Sequence, residues 1–247
     1  MIHGSVVTSA VYVPGDGTWS NNYVTVSGNT IYDCALAGIF LKDTLTYTVS
    51  GNTITDCQDG VYINDNGVTI QRGVISGNTI ENVDRRGIHW DGGACVVDGN
   101  MIDNFGDSGS GQVADQSAIF INAAGSDSVV SNNSIQNGLT GILVNSNPDT
   151  LAITGNIVAS DCTGSGIYFL SYTGDNLVVA NNVLASTTTW TNAPTPSPTK
   201  VFSGNLPPPS SFTITNLTTD RTYDANSTTV AELADILGTL ISDMGMD

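Results

Sequence analysis

Three carboxylates, Glu81, Asp84 and Asp103, are the first candidates for acid–base chemistry in this chain of 247 residues. They lie close to a group of cations, and carboxyl groups in different electrostatic surroundings can supply an acid and a base with separated pKa values. The alternative is a cluster of solvated salt bridges without a catalytic role. The charged or titratable residues grouped with them are Arg72, Arg85, Arg86, His89, Asp91, Asp107 and Asp115.

A repeated motif positions these residues along the chain. It consists of an apolar residue, any residue, Gly or Asn, then Asn, any residue and an apolar residue, as in VSGNTI and VDGNMI. Successive copies are 22 to 33 residues apart, and the longest repeat carries an insertion at Phe105–Asp115. We call the second-position asparagine of each Gly-Asn or Asn-Asn pair an anchor; the anchors are Asn29, Asn52, Asn78, Asn100, Asn133, Asn156, Asn182 and Asn205.

A second motif, a small residue followed by a short β-branched strand, comes 8 to 18 residues after six of the anchors. Its copies start at Gly38, Gly60, Gly87, Ala118, Gly141 and Gly166. Because side chains alternate across a strand, the motif predicts two inward stacks. They are Val11, Ile39, Val61, Ile88, Ile119, Ile142 and Ile167, and Val13, Leu41, Ile63, Trp90, Ile121, Val144 and Phe169.

These linked repeats predict an all-β fold, a right-handed parallel β-helix of about seven coils from Val6 to Ala185. Helical repeats would need apolar residues at a spacing of 3.6, which is missing here. Asparagine is expected where each coil bends, since it tolerates the left-handed region and can hydrogen-bond along its own ladder. The insertion should bulge from one corner. The first residues have no obvious cap, although a solenoid needs one, which predicts further protein upstream in nature or a truncated chain.

Between the two inward stacks an outward row of seven side chains is predicted, which we call the aromatic ladder. An exposed apolar stripe of this length indicates a partner. Two interpretations stay open, a face buried between subunits, where Tyr and Phe are enriched, and a platform on which sugar rings stack. The ladder consists of Tyr12, Phe40, Tyr62, His89, Phe120, Leu143 and Tyr168.

Two further sets of residues are interpreted as structural. Asp33 and Asp56 follow their anchors by four residues and should stack about 5 Å apart, a separation that suits retaining glycoside hydrolysis. Asn and Ser replace them in other repeats, which favours a role in turns. Cys34 and Cys57 also share one repeat position, and we expect them to be small buried hydrophobes.

Composition excludes several classes of function. Lys and Arg number 6 and Asp and Glu number 23, a formal net charge of −17, which repels nucleic acid and anionic membranes. No apolar run approaches the 18 residues of a membrane span, so no membrane insertion is expected. No CxxC or HxxxH spacing is present, and we expect neither a metal nor a cofactor.

The chain changes character towards its end, which predicts three regions. Residues 1–185 form the β-helix, 186–211 a Pro-rich linker or last irregular coil, and 212–247 a C-terminal strand, turn and helix. The helix has a capping box, Thr229 and Glu232, and a short lone helix needs partners. Its apolar seam, spaced 3-4-3-4 for oligomerisation, is Val230, Leu233, Leu237, Leu240 and Met244.

The stretch Thr215–Ile241, with its letters DRTYDA and ELADILGTLI, resembles a C-terminal element that recurs in bacteriophage tail and other virion proteins. The rest of the chain resembles phage tailspikes in architecture. This resemblance implies a homotrimer of β-helices standing side by side, located in the virion, whose shaft binds or cleaves bacterial surface polysaccharide. It also implies other phage tail proteins as upstream partners. Tailspike catalytic sites vary between members, so no catalytic residue is transferred. Outside a virion, we expect an extracellular or soluble protein.

Three functional hypotheses follow from these observations. The first is a homotrimeric phage tail protein that recognises bacterial surface polysaccharide. The second is a polysaccharide depolymerase of the same build, a hydrolase or a lyase, with Glu81, Asp84 and Asp103 as candidate acid and base. The third is a structural virion protein without a ligand.

Overall fold

The computed structural model describes residues 2–3, 9–15, 21–64, 72–106, 109, 112–123, 127–185, 188–194 and 199–206. They form an all-β parallel solenoid of about seven turns, as the repeats predict. The chain divides into two compact units, Met1–Pro208 and Pro209–Asp247. The second unit, which contains the C-terminal strand, helix and apolar seam expected from the sequence, lies outside the described residues.

Twenty-two strands and one short helix make up the described part of the chain. The helix is a 3₁₀ turn at Val113–Asp115. The strands are Ile2–His3 (β1), Val11–Val13 (β2), Asn21–Ser27 (β3), Thr30–Lys42 (β4), Thr44–Ser50 (β5), Thr53–Asn64 (β6), Arg72–Ser76 (β7), Thr79–Val83 (β8), Ile88–Asp91 (β9), Ala94–Asp98 (β10), Met101–Phe105 (β11), Ser117–Ala123 (β12), Ser128–Ser131 (β13), Ser134–Gln136 (β14), Thr140–Val144 (β15), Thr150–Thr154 (β16), Ile157–Val158 (β17), Ser165–Phe169 (β18), Asn176–Ala180 (β19), Val183–Leu184 (β20), Thr188–Thr191 (β21) and Lys200–Ser203 (β22).

The strands form two sheets in which the pairs run parallel. The first sheet has 14 strands. Its long strands β4 and β6 pair with each other and turn a corner, so the first part of β6 also pairs with β8 and its last part with β9. The second sheet has eight strands in the order β22-β19-β16-β13-β10-β7-β5-β3. Pairing continues beyond residue 185, because β21 pairs with β18 and β22 pairs with β19.

The inward stacks are the core, as predicted from the alternation of side chains. Ile39, Ile88 and Ile142 are fully buried in one stack, and Leu41 and Trp90 are fully buried in the other. Their neighbours in successive coils are paired in register. The core therefore extends along the whole solenoid as a column of Val, Ile and Leu side chains with Trp90 and Phe169 filling the wider positions.

The anchor asparagines form a ladder inside the corner between the two sheets. In each link, the backbone N–H and the side-chain Nδ2 of one anchor both donate to Oδ1 of the anchor in the next coil, as from Asn100 to Asn133 at 3.0 and 2.9 Å. The same Nδ2 also donates to a backbone carbonyl, for Asn100 that of Ile75 at 3.0 Å. This confirms the predicted hydrogen bonding between anchors.

The left-handed residue at the anchor corner is the one before the anchor, which corrects our expectation. Gly28 and Asn132, for example, have φ of 67° and 55°, whereas no anchor has a positive φ. Because the preceding residue makes the bend, the anchor side chain is free to point inward. A second set of left-handed residues makes the next corner, and it consists of Asp33, Asp56, Asn82, Asn104 and Asn137. The structural interpretation of Asp33 and Asp56 is therefore confirmed.

The four cysteines are free thiols and all are buried, as expected for Cys34 and Cys57. Burial raises the pKa of the Cys95 thiol to about 12, so this thiol is protonated at neutral pH and is a poor nucleophile. Within the described ranges, no helix is long and apolar enough to cross a lipid bilayer.

Candidate functional site

A groove of about 310 Å³ lies beside the aromatic ladder in the N-terminal coils. Strands β4 and β6 and the segment before β9 supply most of its walls. One side carries aromatic and aliphatic groups and the other carries charged and amide groups. The lining residues are Ser9, Leu36, Ala37, Phe40, Gln58, Asp59, Tyr62, Arg85, Arg86 and His89.

The charged wall is built from Asp59 and Arg86, which occupy the same position in adjacent coils. Each directly precedes the small residue of the second motif, Gly60 or Gly87. The Arg86 backbone N–H donates to Asp59 Oδ1 at 3.2 Å, and Arg86 Nη1 lies 3.7 Å from the same oxygen. Both residues are buried, with exposed fractions of 4% and 7%, so this is an ion pair largely removed from water.

The insertion closes over this ion pair. Arg86 Nε donates to the carbonyl of Ala114 at 2.7 Å, and the guanidinium groups of Arg85 and Arg86 both donate to Asp115. The insertion was expected to bulge from a corner. Its 3₁₀ turn packs against Arg86 and supplies acceptors for N–H groups of the buried guanidinium.

Burial and the charge of the partner shift the pKa values of Asp59 and Arg86 in opposite directions. Burial raises the pKa of Asp59, although Arg86 and Arg85 oppose the rise. Burial likewise lowers the pKa of Arg86, although Asp59 opposes the change. Desolvation thus outweighs the attraction of the two charges in both groups, as is common for buried ion pairs. Asp59 is the one carboxyl group among the residues that line the groove, and its raised pKa means that it binds a proton more readily than an ordinary aspartate.

His89 is held as a neutral hydrogen-bond donor. Its Nδ1 lies 3.1 Å from Arg86 Nη1, and a guanidinium can only donate, so Nδ1 accepts and Nε2 carries the proton. Burial, followed by the charges of Arg86 and Arg85, lowers the pKa of His89 to about 3. Nε2 is buried and has no hydrogen-bond partner among the described residues. A buried N–H without a partner is costly, and a ligand oxygen would satisfy it.

The aromatic ladder is more enclosed than the sequence suggested. It was expected on a wet surface, yet His89 and Phe120 are only 7% and 4% exposed and Leu143 is fully buried. Part of the cover is Arg86, whose guanidinium carbon lies 5.1 Å from the centre of the Phe120 ring. Tyr12, which is 51% exposed, is a ladder residue that does lie on the solvent-exposed surface, as expected.

Ring stacking also limits what the ladder can bind. The rings of Phe40 and Tyr62 are 4.7 Å apart and nearly parallel, and those of Tyr62 and His89 are 4.2 Å apart. Tyr12 covers the other side of Phe40 at 5.3 Å, and Phe120 covers the other side of His89 at 5.1 Å. Both faces of the three middle rings, Phe40, Tyr62 and His89, are thus covered by neighbouring rings of the ladder. Only their edges are available, so a sugar ring cannot stack on them.

Of the three carboxylates chosen from the sequence, the structure places two side by side and the third in a depression of its own. Glu81 and Asp103 are register neighbours on β8 and β11, as predicted. The oxygens of Asp103 accept hydrogen bonds from the amides of Gln136 and Asn137 at 2.9 and 2.8 Å. Asp84 instead lines a separate depression of about 270 Å³ that includes neither of them, together with Asp56, Asn82, Val83 and Asn104.

Sequence reasoning missed Asp59, the carboxylate that the groove does contain. A signal was present, because the residue before the small position is Ala37, Ser117, Thr140 or Ser165 in other coils. An Asp in one coil and an Arg in the next stand out from that small or hydroxylic series. Among the described residues, no group of three His, Cys, Asp or Glu side chains is placed to hold a metal ion.

Comparison with known proteins agrees with this architecture. The family model for a right-handed β-helix region matches residues 9–184. The chain therefore belongs to the right-handed β-helix family. No curated protein and no solved structure matches the chain.

Proposed function

We propose that this β-helix binds a polysaccharide of the bacterial surface in the groove beside the aromatic ladder, as a homotrimeric phage tail protein. The fold is common among proteins that bind or depolymerise polysaccharides. The assignment to a phage tail and the number three rest on the resemblance of Thr215–Ile241 to the recurrent virion element. The observation that carries the binding site is the buried His89 Nε2–H without a partner in the wall of an open groove.

The lining of the groove suits a sugar. Ring edges of Phe40 and Tyr62 offer apolar contact for C–H groups, while Gln58 and Arg85 offer hydrogen bonds for hydroxyl groups. Sites for small ligands combine such apolar walls with a few placed polar groups. The Nε2–H of His89 selects an acceptor oxygen on the sugar, since a neutral imidazole in this tautomer has no lone pair there.

The expected result for His89→Phe is a polysaccharide affinity about tenfold weaker, because one neutral hydrogen bond to a buried group is lost. Phenylalanine keeps an aromatic ring between Tyr62 and Phe120, so the ladder should remain stacked. A glycan array of bacterial surface polysaccharides identifies the ligand, and calorimetric titration of the wild type and the variant with that ligand measures the change.

Tyr168→Ala is the matched control for this experiment. Tyr168 belongs to the aromatic ladder but does not line the groove, so its removal should leave the affinity unchanged. Equal losses in both variants would show that the whole ladder binds the glycan. A loss for Tyr168→Ala alone would exclude the groove.

Depolymerisation is the second candidate function, and the raised pKa of the Asp59 carboxyl favours it. A carboxyl group with a raised pKa is the usual proton donor in glycoside hydrolysis, and Asp59 lines the groove. Glu81, Asp84 and Asp103 remain the alternative acid and base.

We expect the Asp59→Asn variant to release reducing ends or unsaturated sugar from the bound polysaccharide at least a hundredfold more slowly than the wild type, a typical contribution of general acid catalysis. A triple alanine variant at Glu81, Asp84 and Asp103 should keep the wild-type rate. The reverse outcome would place the chemistry at the three carboxylates. An inactive wild type that still binds would leave recognition as the function.

A further inference from the structure

The groove beside the aromatic ladder is elongated along the axis of the solenoid. One row of its lining residues occupies the same place in four successive coils, two positions before an inward residue of the first stack. This row consists of Ser9, Ala37, Asp59 and Arg86. A second row, Phe40, Tyr62 and His89, is paired in register from coil to coil. Because successive coils are about 4.8 Å apart, the first row is about 14 Å long. A ligand that fills the groove is therefore an extended chain and not a single sugar ring.

Each end of the groove carries a buried polar atom that has no hydrogen-bond partner among the described residues. At one end this atom is Ser9 Oγ, and at the other end it is His89 Nε2. The described part of the chain contains four such atoms, so half of them lie in this one groove. Buried polar groups are normally paired, and these two indicate that the ligand supplies a polar atom at each end.

The lining between these two atoms is mainly apolar. Leu36, which is 44% exposed, and Phe40 lie in the coil that follows Ser9, and Tyr62 lies in the next coil. The hydroxyl group of Ser9 can donate or accept, whereas Nε2–H of His89 can only donate. A sugar chain fits this sequence of groups, because it carries hydroxyl groups and ring oxygens at its edges and C–H groups between them.

The charges of the groove are balanced by one another. Arg86 Nη1 lies 3.7 Å from Asp59 Oδ1, and Arg85 Nη1 lies 3.9 Å from Asp59 Oδ2. Both guanidinium groups also contact Asp115, so two cations are matched by two carboxylates. The lowered pKa of His89 keeps this imidazole neutral. An anionic sugar would add a third negative charge here, in a protein with a formal net charge of −17, and both effects favour a neutral ligand.

We infer that the groove binds a neutral, extended segment of polysaccharide that lies along the solenoid axis from Ser9 to His89. One sugar residue places an acceptor oxygen on Nε2–H of His89, and another, further along the glycan, places a hydroxyl group on Ser9 Oγ. The ring edges of Phe40 and Tyr62 contact the C–H groups between them. This inference rests on the proposed polysaccharide binding and adds the charge, length and direction of the bound segment.

Removing the hydroxyl group of Ser9 tests the length of the bound segment. The probes are size-fractionated fragments of the bacterial surface polysaccharide that binds most tightly on an array of neutral and acidic examples. For a fragment that spans the groove, we expect Ser9→Ala to bind about fivefold more weakly than the wild type, because one hydrogen bond to a neutral group is lost. A fragment shorter than the groove reaches only one end, so either Ser9→Ala or His89→Phe should weaken its binding, but not both.

Ser146→Ala is the matched control for the Ser9 variant. Ser146 Oγ is also buried without a partner among the described residues, but it does not line the groove, so the affinity should stay at the wild-type value. Equal losses in the two serine variants, or a loss for His89→Phe alone with every fragment, would overturn the extended site and leave binding at His89 in place. Unchanged affinity in both Ser9→Ala and His89→Phe would exclude the groove itself, and the proposed binding site with it.

Ionic strength tests the charge of the ligand. The affinity of the wild type should change by less than about twofold between about 0.05 M and 0.5 M NaCl, because a neutral chain has no charge for salt to screen. A preference for the acidic polysaccharides of the array, or a change of about tenfold or more with salt, would overturn the neutral ligand without excluding the groove.

Discussion

Replacing Arg86 by methionine is expected to lower the free energy of unfolding by about 3–5 kcal/mol at pH 7, the usual cost of leaving a buried charge without its partner. Asp59 is 4% exposed, and Arg86 supplies the nearest buried cation. The variant also removes the donor to the Ala114 carbonyl, which ties the insertion to the coil. Urea denaturation followed by circular dichroism measures the change.

The pH dependence of this loss identifies its cause. Burial already raises the pKa of Asp59 above its ordinary value of 3.8, against the opposing effect of Arg86, so without Arg86 the folded-state pKa rises further. A carboxyl whose pKa is higher in the folded state binds protons on folding, so stability increases as the pH falls through that pKa towards the unfolded-state value. The difference between wild type and Arg86→Met should therefore shrink as the pH is lowered from 7 through the raised pKa of Asp59 in the variant.

Arg85→Met is the matched control, since it removes an adjacent charge of the same kind. Its side chain is 29% exposed, and exposed ion pairs contribute about 0–1 kcal/mol. A smaller loss that hardly changes with pH is expected. Equal losses for the two arginines, or a gap that stays constant on acidification, would show that Asp59 tolerates its charge without Arg86.

The solenoid was predictable because its repeats constrain it locally. Each coil needs a small residue where backbones approach, and a Cβ on Gly60 would lie 2.5 Å from the carbonyl oxygen of Gly87. Inward positions must be apolar at a period of two. These demands recur in every coil, so they leave a pattern that a single sequence reveals. The inward position of Trp90 was predicted in this way and is confirmed.

The groove was less predictable from the sequence, because it is formed by residues that occur in single coils and are not repeated in the others. Arg85, Arg86 and His89 were recognised as a cluster together with Asp115, which does pair with both arginines, but Asp59 was not included. Asp59 lies 27 residues from Arg86. The burial of this pair depends on how the insertion folds over it, and insertions have no repeat to reveal their path.

The burial of the aromatic ladder was missed for the same reason, because it depends on contacts with a segment that is not repeated. Alternation correctly predicted which side chains point away from the core, but it does not tell whether another segment covers them. Phe120 is enclosed by His89 on one side and approached by Arg86. The stacking of the middle rings on each other follows from identical positions in successive coils about 4.8 Å apart, and it was therefore deducible before the structure.

Asn133→Ala is expected to have the other large effect, again about 3–5 kcal/mol, because several buried groups lose partners at once. The side chain of Asn133 accepts from both the backbone N–H and Nδ2 of Asn100. Its own Nδ2 donates to Asn156 Oδ1 at 2.9 Å and to the carbonyl of Val97 at 3.0 Å. Alanine leaves all of these groups without their hydrogen-bond partners. Because Asn133 is 1% exposed, water has little access to replace those partners.

Asn29→Ala is the control at the first anchor of the ladder. Asn29 is only half-buried, and its Nδ2 donates to Asn52 Oδ1 and to the exposed carbonyl of Ser27. Water can replace much of what this side chain provides, so a loss of about 1 kcal/mol is expected, the net value of an ordinary hydrogen bond. Urea midpoints for the two variants at the same pH give the comparison.

The slope of the urea transition adds a second test of the ladder. In a solenoid each coil contacts only its neighbours, so cooperativity depends on the links between them. Asn133 lies in the middle of the ladder, and breaking its links should let the coils on the two sides unfold separately. Separate transitions appear as a lower slope, since each exposes less surface. Equal losses for Asn29→Ala and Asn133→Ala with an unchanged slope would mean that the inward apolar stacks alone couple the coils.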